Sequence, residues 1–189
     1  MRIPIEVSAR HLHLSPKDLE KLFGRGYKLK KLHALSQKGE FAAREEVKIA
    51  GKKTNLGVRI VGPARSKTQL EISASDAHRL GIYPAVRLSG DIENTPGFEL
   101  IGPKGKAEVN RGMIIAKRHL HLNPADAKKL RLGHRHVIKV KTEGEREVIF
   151  DKVVVRVGKN FKLSLHIDTD EANAAGLWKK KNYGRWLRS

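Results

Sequence analysis

Four of the nine histidines lie in two copies of one five-residue motif. Residues 10–14 and 118–122 both have the sequence Arg-His-Leu-His-Leu, and each copy is followed by a small polar residue and a proline. Because side chains alternate between the two faces of a β-strand, the histidines of each copy share a face and the leucine between them lies on the other. Two imidazoles on one face are a pair of metal ligands. The matched contexts favour metal binding over a capping or packing role.

A tight metal site needs a third protein ligand, and the repeat itself indicates one. The segments Glu-Ile-Ser-Ala-Ser-Asp-Ala (71–77) and His-Ile-Asp-Thr-Asp-Glu-Ala (166–172) follow the two motifs in the same order. They place Glu71 and His166 at the same register. The sequence therefore predicts two metal sites, whose ligands are His11, His13 and Glu71 in one and His119, His121 and His166 in the other.

Two other groups compete with this assignment. Glu45 is the main alternative to Glu71, because Phe41, Ala43, Glu45 and Val47 also alternate onto one strand face. A third His-x-His triplet at 134–136 has no counterpart elsewhere in the chain, and we interpret it as an exposed pair without a metal role. Arg10 and Arg118 precede the two histidine pairs and point to the opposite face, so they have either a structural role or contacts with a phosphate-bearing ligand.

Shared motif order predicts an internal duplication of a mainly β fold. Segments such as 47–62, 145–158 and 161–167 are rich in β-branched residues and have short polar breaks, which is typical of strands. The helices are short, at about 16–23, 75–80, 124–130 and 170–175, and the first and third begin after Ser15 and Asn123 with proline at the first position. We therefore expect two small β-barrel domains with short capping α-helices, at residues 1–97 and 98–177, and a basic C-terminal tail at 178–189.

Composition excludes several kinds of chemistry. The chain has 189 residues and no cysteine, which removes disulfides, a thiolate nucleophile and cysteine-bound zinc. No apolar run approaches the about 18 residues that cross a membrane, and the N-terminus lacks the apolar core of a secretion signal. We therefore expect a cytoplasmic protein without a membrane span. The net charge of +19 predicts non-specific attraction to polyanions, including nucleic acid and phosphate-rich ligands.

Four motifs in a fixed order resemble those of one enzyme family. The segments SARHLHLSP, GPARSKTQLEIS, IIAKRHLHLNP and LHIDTDEANAAGL resemble the PduL-type phosphotransacylases, or phosphate propanoyltransferases, from about Pro4 to Leu177. The resemblance implies two β-barrel domains with a dimetal centre, usually zinc. It also implies the transfer of a short acyl group, acetyl or propanoyl, between coenzyme A and inorganic phosphate.

The resemblance also implies roles for individual residues. The metal held by His11, His13 and Glu71 would meet the coenzyme A sulfur, and waters would complete the shell of the second metal. Arg65 matches the arginine that contacts phosphate. An N-terminal extension that directs many family members into a bacterial microcompartment is not expected here, since the first histidine motif begins at residue 10. A homodimer is a further expectation.

Two other functions remain open from the sequence. A basic, nucleic-acid-binding β-barrel protein would account for the net charge and for the aromatic and lysine residues of the tail. A metal-dependent thioester hydrolase would use water as the acceptor in place of phosphate. Neither alternative requires Arg65 to bind phosphate.

Overall fold

The computed structural model of the chain describes residues 2–179 and 181–187. The chain forms two compact units. The barrel unit consists of the described residues of Met1–Ala9 and Lys117–Ser189, and the sheet unit consists of Arg10–Ala116. Each unit has its own hydrophobic core of buried leucine, isoleucine and valine side chains. The prediction of a mainly β fold with short helices is confirmed.

The barrel unit is a closed six-stranded barrel. Going round the barrel, its strands are β1 (Arg2–Ser8), β14 (Ser164–Asp168), β11 (His119–Leu122), β13 (Ile149–Val157), β12 (Val137–Thr142) and β15 (Asn182–Leu187). Two helices belong to this unit, α3 (Pro124–Leu130) and α4 (Thr169–Ala174). Strand β1 pairs in parallel with β14 and antiparallel with β15, so it closes the barrel.

The sheet unit is built on a curled nine-stranded sheet. Its strands lie in the order β7 (Val86–Arg87), β10 (Met113–Ala116), β6 (Gln69–Ile72), β2 (His11–His13), β5 (Leu56–Gly62), β4 (Phe41–Ala50), β8 (Phe98–Ile101) and β9 (Lys106–Val109), with β3 (Lys31–Ala34) paired to β4. Helices α1 (Pro16–Phe23) and α2 (Ala74–Leu80) complete it.

Side-chain caps fix where the helices begin. The Ser15 hydroxyl accepts a hydrogen bond from the Asp18 amide, and the Asn123 side chain accepts one from the Asp126 amide. Each cap satisfies an amide that has no partner within its helix, and the proline that follows has no amide to satisfy. All four helices lie within about one residue of their predicted bounds.

The two units do not coincide with the predicted domains at 1–97 and 98–177. Strand β8 pairs with β4 (Lys48 with Ile101) and β10 pairs with β6, so residues 98–116 belong to the sheet unit. Conversely, β1 pairs with β14 of the barrel unit. The strand that precedes each Arg-His-Leu-His-Leu motif therefore belongs to the unit that contains the other copy of the motif. These strands are β1 for the first copy and β10 for the second. Such pairing between distant segments has no local trace in composition or turn signals.

The predicted basic tail is largely a strand. Within 178–189, residues Asn182–Leu187 form β15, which pairs with both β1 and β12. Gly184 lies close to the backbone of β12, since an added Cβ would stand 2.8 Å from the Lys141 carbonyl oxygen. Lys180, Arg188 and Ser189 of the predicted tail lie outside the described residues. Across 2–179 and 181–187, the structure contains no helix long and apolar enough to traverse a lipid bilayer.

Candidate metal sites

Strand pairing in the sheet unit brings the first predicted triad together. Strand β2 runs antiparallel to β6 with His11 opposite Glu71 and His13 opposite Gln69. As a result His11, His13 and Glu71 each offer one ligand atom, and these atoms lie within 4.8 Å of one another. His11 Nε2 is 3.7 Å from Glu71 Oε2. Leu12, between the histidines, is fully buried in the core on the other face.

Hydrogen bonds fix how this triad presents its ligand atoms. His13 Nδ1 lies 3.2 Å from the Val61 carbonyl oxygen, a contact that requires Nδ1 to carry the proton and leaves the Nε2 lone pair free. The Gln69 amide donates to Glu71 Oε1 at 2.7 Å, while the Gly90 amide donates to Gln69. Hydrogen-bond partners of this kind fix the orientation of metal-binding side chains.

The barrel unit repeats the arrangement with a different third residue. Strand β11 runs antiparallel to β14 with His119 opposite His166, and the ligand atoms of His119, His121 and His166 again lie within 4.8 Å of one another. The rings of His119 and His166 stack at 5.2 Å between centroids. His119 Nδ1 is 2.8 Å from the Lys117 carbonyl oxygen, so Nδ1 carries the proton and the lone pair lies on Nε2.

His121 is buried with neither ring nitrogen hydrogen-bonded to any described residue. Its ring stacks on Phe161, with 4.0 Å between centroids. A buried polar atom without a partner costs about 1–3 kcal/mol, so such atoms are rare in stable folds unless they have another use. A metal ion would satisfy one nitrogen. The nitrogen donors of this triad therefore fit a borderline-soft divalent ion such as zinc.

Burial keeps one histidine of each pair neutral. Burial, followed by the neighbouring His11 and the charge of Arg65, lowers the pKa of His13 to about 3. Burial, followed by His119 and His166, lowers the pKa of His121 to about 2. A metal binds only the neutral imidazole, so both side chains are ready to bind at neutral pH.

The predicted phosphate residue lies beside the first triad. The Arg65 amide donates to the Leu14 carbonyl oxygen at 2.9 Å, which fixes its loop against the end of the His11–His13 strand. Its guanidinium donates to Glu40 at 2.7 Å and is about a third exposed. Its charge also contributes to the lowered pKa of His13. Arg65 is therefore a cation within electrostatic reach of the triad, paired to the carboxylate of Glu40.

Glu45, the alternative to Glu71, is engaged elsewhere. It accepts hydrogen bonds from the Tyr27 hydroxyl at 2.8 Å and from the Lys30 amide at 3.1 Å, and so holds the segment after α1. It does not belong to the group of ligand atoms around His11 and His13. Glu45 is buried in phase with Ala43 and Val47, as strand alternation indicates, although the register of β4 against β5 shifts between Ala42 and Glu46.

The third His-x-His triplet forms loop contacts. His134 Nδ1 accepts from the Val157 amide at 3.2 Å, and His136 Nδ1 accepts from the Gly133 amide at 3.0 Å. Both rings are exposed. This arrangement agrees with the interpretation of an exposed pair.

Sequence reasoning missed three side chains that contact the third ligands. One is Ser164, whose Oγ lies 2.8 Å from His166 Nε2. Gln69 lies two residues before Glu71 on the same strand, so strand alternation could have indicated it. Glu6 lies opposite His166 across the parallel β1–β14 pair, and its Oε2 is 3.7 Å from His166 Nε2. Only the exchange of β1 brings Glu6 there, and no sequence signal showed that exchange.

Sequence comparisons assign nearly the whole chain to one family of enzymes. A profile of the phosphate propanoyltransferase family matches residues 4–178. A phosphate propanoyltransferase of Thermotoga maritima is 51% identical over 177 residues, covering 93% of this chain and 84% of the relative. Phosphate propanoyltransferases of Listeria monocytogenes and Clostridioides difficile are 45% and 44% identical over 178 residues. The chain belongs to the phosphate propanoyltransferase family.

Proposed function

We propose that the chain transfers a short acyl group, acetyl or propanoyl, between coenzyme A and inorganic phosphate, and that each triad binds one divalent metal ion, zinc first. The proposal is carried by one observation. Both units contain, at equivalent positions of the repeat, a largely buried triad in which burial lowers the pKa of one histidine far below its usual value. Family membership supplies the reaction class.

His11, His13 and Glu71 would hold one ion, and His119, His121 and His166 the other. Zinc at such sites stabilises a thiolate and polarises a bound oxygen as a Lewis acid. The hydrogen bonds to Val61 and Lys117 hold the imidazoles of His13 and His119 in the tautomer with the lone pair on Nε2. Gln69 holds the carboxylate of Glu71 with one oxygen directed at His11.

Arg65 binds phosphate and orients it for attack on the thioester carbonyl. A guanidinium offers a planar fork that matches two phosphate oxygens. Phosphate replaces Glu40 as the acceptor for Arg65 in this step. The chain has no cysteine, so the acyl group passes directly from sulfur to phosphate oxygen without a cysteinyl intermediate.

An assay of coenzyme A release tests the proposal. Purified protein is incubated with acetyl-CoA or propanoyl-CoA, with and without phosphate, and free thiol and acyl phosphate are measured. We expect thiol release that requires phosphate and matches the acyl phosphate formed. Thiol release at the same rate without phosphate would identify a hydrolase instead, and no release with either substrate would reject acyl transfer.

A second candidate, non-specific binding of polyanions, rests on the 39 basic and 20 acidic residues. Such binding weakens steeply with salt, because counterions return to the polyanion. Fluorescence anisotropy of a labelled RNA oligonucleotide across a salt series measures this dependence. Salt-tolerant, sequence-selective binding together with no thiol release would make nucleic-acid binding the main function. Size-exclusion chromatography with light scattering tests the expected homodimer in the same preparation.

A further inference from the structure

The arginine that precedes each histidine pair forms an ion pair with the helix that follows the third ligand. Arg10 Nη2 is 2.8 Å from Asp76 Oδ1, in the first turn of α2. Arg118 Nε is 2.6 Å from Glu171 Oε1, in the first turn of α4. The side chains of Asp76 and Glu171 are only 7% and 17% exposed, so the carboxylates are largely shielded from water, while the two arginine side chains are 32% and 34% exposed.

These two ion pairs occupy equivalent positions of the repeat. Arg10 and Arg118 each come directly before the first histidine, and the acids Asp76 and Glu171 each come five residues after the third predicted ligand, as the sequence shows. Between the two copies the third ligand itself changes from glutamate to histidine, and the acid changes length. The arginine–carboxylate pairing is nevertheless present in both.

The strand that carries the first histidine pair needs such an anchor. Strand β2 has only three residues, and the chain enters the sheet unit at Arg10. At the far end of the strand, the Ser15 amide donates to the Thr68 hydroxyl, which in turn donates to Asp18. At the near end the Arg10–Asp76 ion pair holds the strand in the same way. It links the backbone next to His11 to the helix that begins after Glu71.

The second pair connects the same parts of the barrel unit. Arg118 lies one residue after Lys117, where the chain returns to this unit, and its guanidinium is also over the Phe150 ring. Glu171 accepts a hydrogen bond from the Asp168 amide in the capping box of α4. The carboxylate thus joins the strand of His119, the cap that follows His166, and the first turn of α4.

We infer that Arg10 and Arg118 are positioning residues for the two metal sites, each fixing a histidine pair relative to its third ligand through the ion pair with Asp76 or Glu171. The inference rests on the proposed function, because it presumes that the triads bind metal. Removal of partners that orient ligands typically lowers metal affinity by about 10–100-fold. These arginines act on the ligand strands and not on the ligands, so we expect a loss at the lower end, roughly tenfold.

The test measures zinc affinity at each site by competition with a chromophoric chelator. Wild type should bind two zinc equivalents. Arg10→Met and Arg118→Met should each weaken one equivalent by roughly tenfold and leave the other unchanged. Asp76→Asn should reproduce Arg10→Met, and the Arg10→Met/Asp76→Asn double variant should be no worse than the more severe single variant. Arg87→Met is the matched control, since Arg87 is 38% exposed against 32% for Arg10 and pairs with Asp91 instead.

A purely stabilising role predicts a different pattern. Urea unfolding in EDTA would then show a loss of stability, while both zinc affinities would stay at the wild-type values, and that result overturns the inference. If Arg10→Met does not fold, Arg10→Lys and Arg118→Met decide in its place, by the same criterion. Wild-type protein that binds no zinc refutes the proposed function, whereas two bound zinc ions with unaffected variants refute only this inference.

Discussion

Replacement of His121 by phenylalanine should stabilise the metal-free protein while removing its metal site. Both ring nitrogens of His121 are buried and lack hydrogen bonds to the described residues, and each such atom costs about 1–3 kcal/mol. Phenylalanine has a ring of similar shape and no polar atoms, and it can keep the stacking on Phe161 at 4.0 Å. After a small allowance for its larger ring, we expect a gain of about 1–2 kcal/mol in the free energy of unfolding.

His119→Phe is the matched control with the opposite expected sign. His119 lies two residues away on the same strand, but its Nδ1 is hydrogen-bonded to the Lys117 carbonyl oxygen at 2.8 Å. Loss of that hydrogen bond should lower the free energy of unfolding by about 0.5–1.5 kcal/mol. The two substitutions remove the same functional group from the same site. The difference between their free energies of unfolding therefore reports the cost of the unpaired nitrogens of His121.

Urea unfolding in EDTA, followed by tryptophan fluorescence, measures both variants. The two tryptophans, Trp178 and Trp186, belong to the barrel unit, so the signal reports on that unit. With excess zinc wild type should become more stable than His121→Phe, because only wild type gains stability from an ion bound at the triad of the barrel unit. If His121→Phe and His119→Phe prove equally destabilised in EDTA, the argument from unpaired nitrogens is refuted.

Three further predictions concern the ligands, the phosphate contact and pH. Glu71→Ala and His166→Ala should each retain about one of two zinc ions by elemental analysis, because each removes one ligand from a three-ligand set. Arg65→Ala should raise the KM for phosphate about tenfold or more, since a charge-assisted contact contributes about 1.5–3 kcal/mol, with the KM for acyl-CoA changed less. In EDTA, stability should decrease as the pH falls below 6.5, because the unfolded chain then protonates His13 and His121 while the folded chain, with pKa values of about 3 and about 2, does not. At pH 5.5 each of the two groups accounts for a loss of about 1.4 kcal/mol in its own unit.

Neighbouring residues provide the controls for these experiments. Glu45→Ala should keep both metal ions, although it removes the acceptor for Tyr27 and the Lys30 amide. If it loses one ion while Glu71→Ala keeps both, the first site must be rebuilt around Glu45. Lys67→Ala, which removes an exposed cation from the Arg65 loop, should leave the KM for phosphate unchanged. Stability that is flat between pH 6.5 and 5 would contradict the neutral state of the buried imidazole.

Local patterns in the sequence predicted what depends on short-range structure. Strand alternation placed the two histidines of each pair on the same face of their strand. Ser15 and Asn123 correctly indicated the N-caps of two helices. Comparison of the repeats placed Glu71 and His166 at equivalent positions, and in the structure they lie opposite His11 and His119. These features require only neighbours along the chain or a copy of the same motif.

Pairing between distant segments was beyond the same reasoning. The exchange of β1 and β10 leaves the composition of both strands unchanged, so the boundary was placed where turn residues cluster, at residue 97. The charge of the segment around Asn182–Leu187 suggested a solvated tail, although its backbone closes the barrel against β1 and β12. Closure of a barrel is decided by free strand edges, which a charge count does not reveal.

Strand exchange also gives the two triads different neighbouring residues. In the proposed sites, Glu71 contributes a carboxylate, which would offset part of a divalent cation's charge, whereas the triad of the barrel unit consists of three histidines and contributes none. Next to Glu71 on the parallel strand lies buried Ile114, and at the equivalent place beside His166 lies Glu6. Each site therefore has one carboxylate nearby, as a candidate ligand in one case and beside a ligand in the other. Because β1 comes from the first half of the sequence, a residue of the first half, Glu6, lies beside His166 of the second triad.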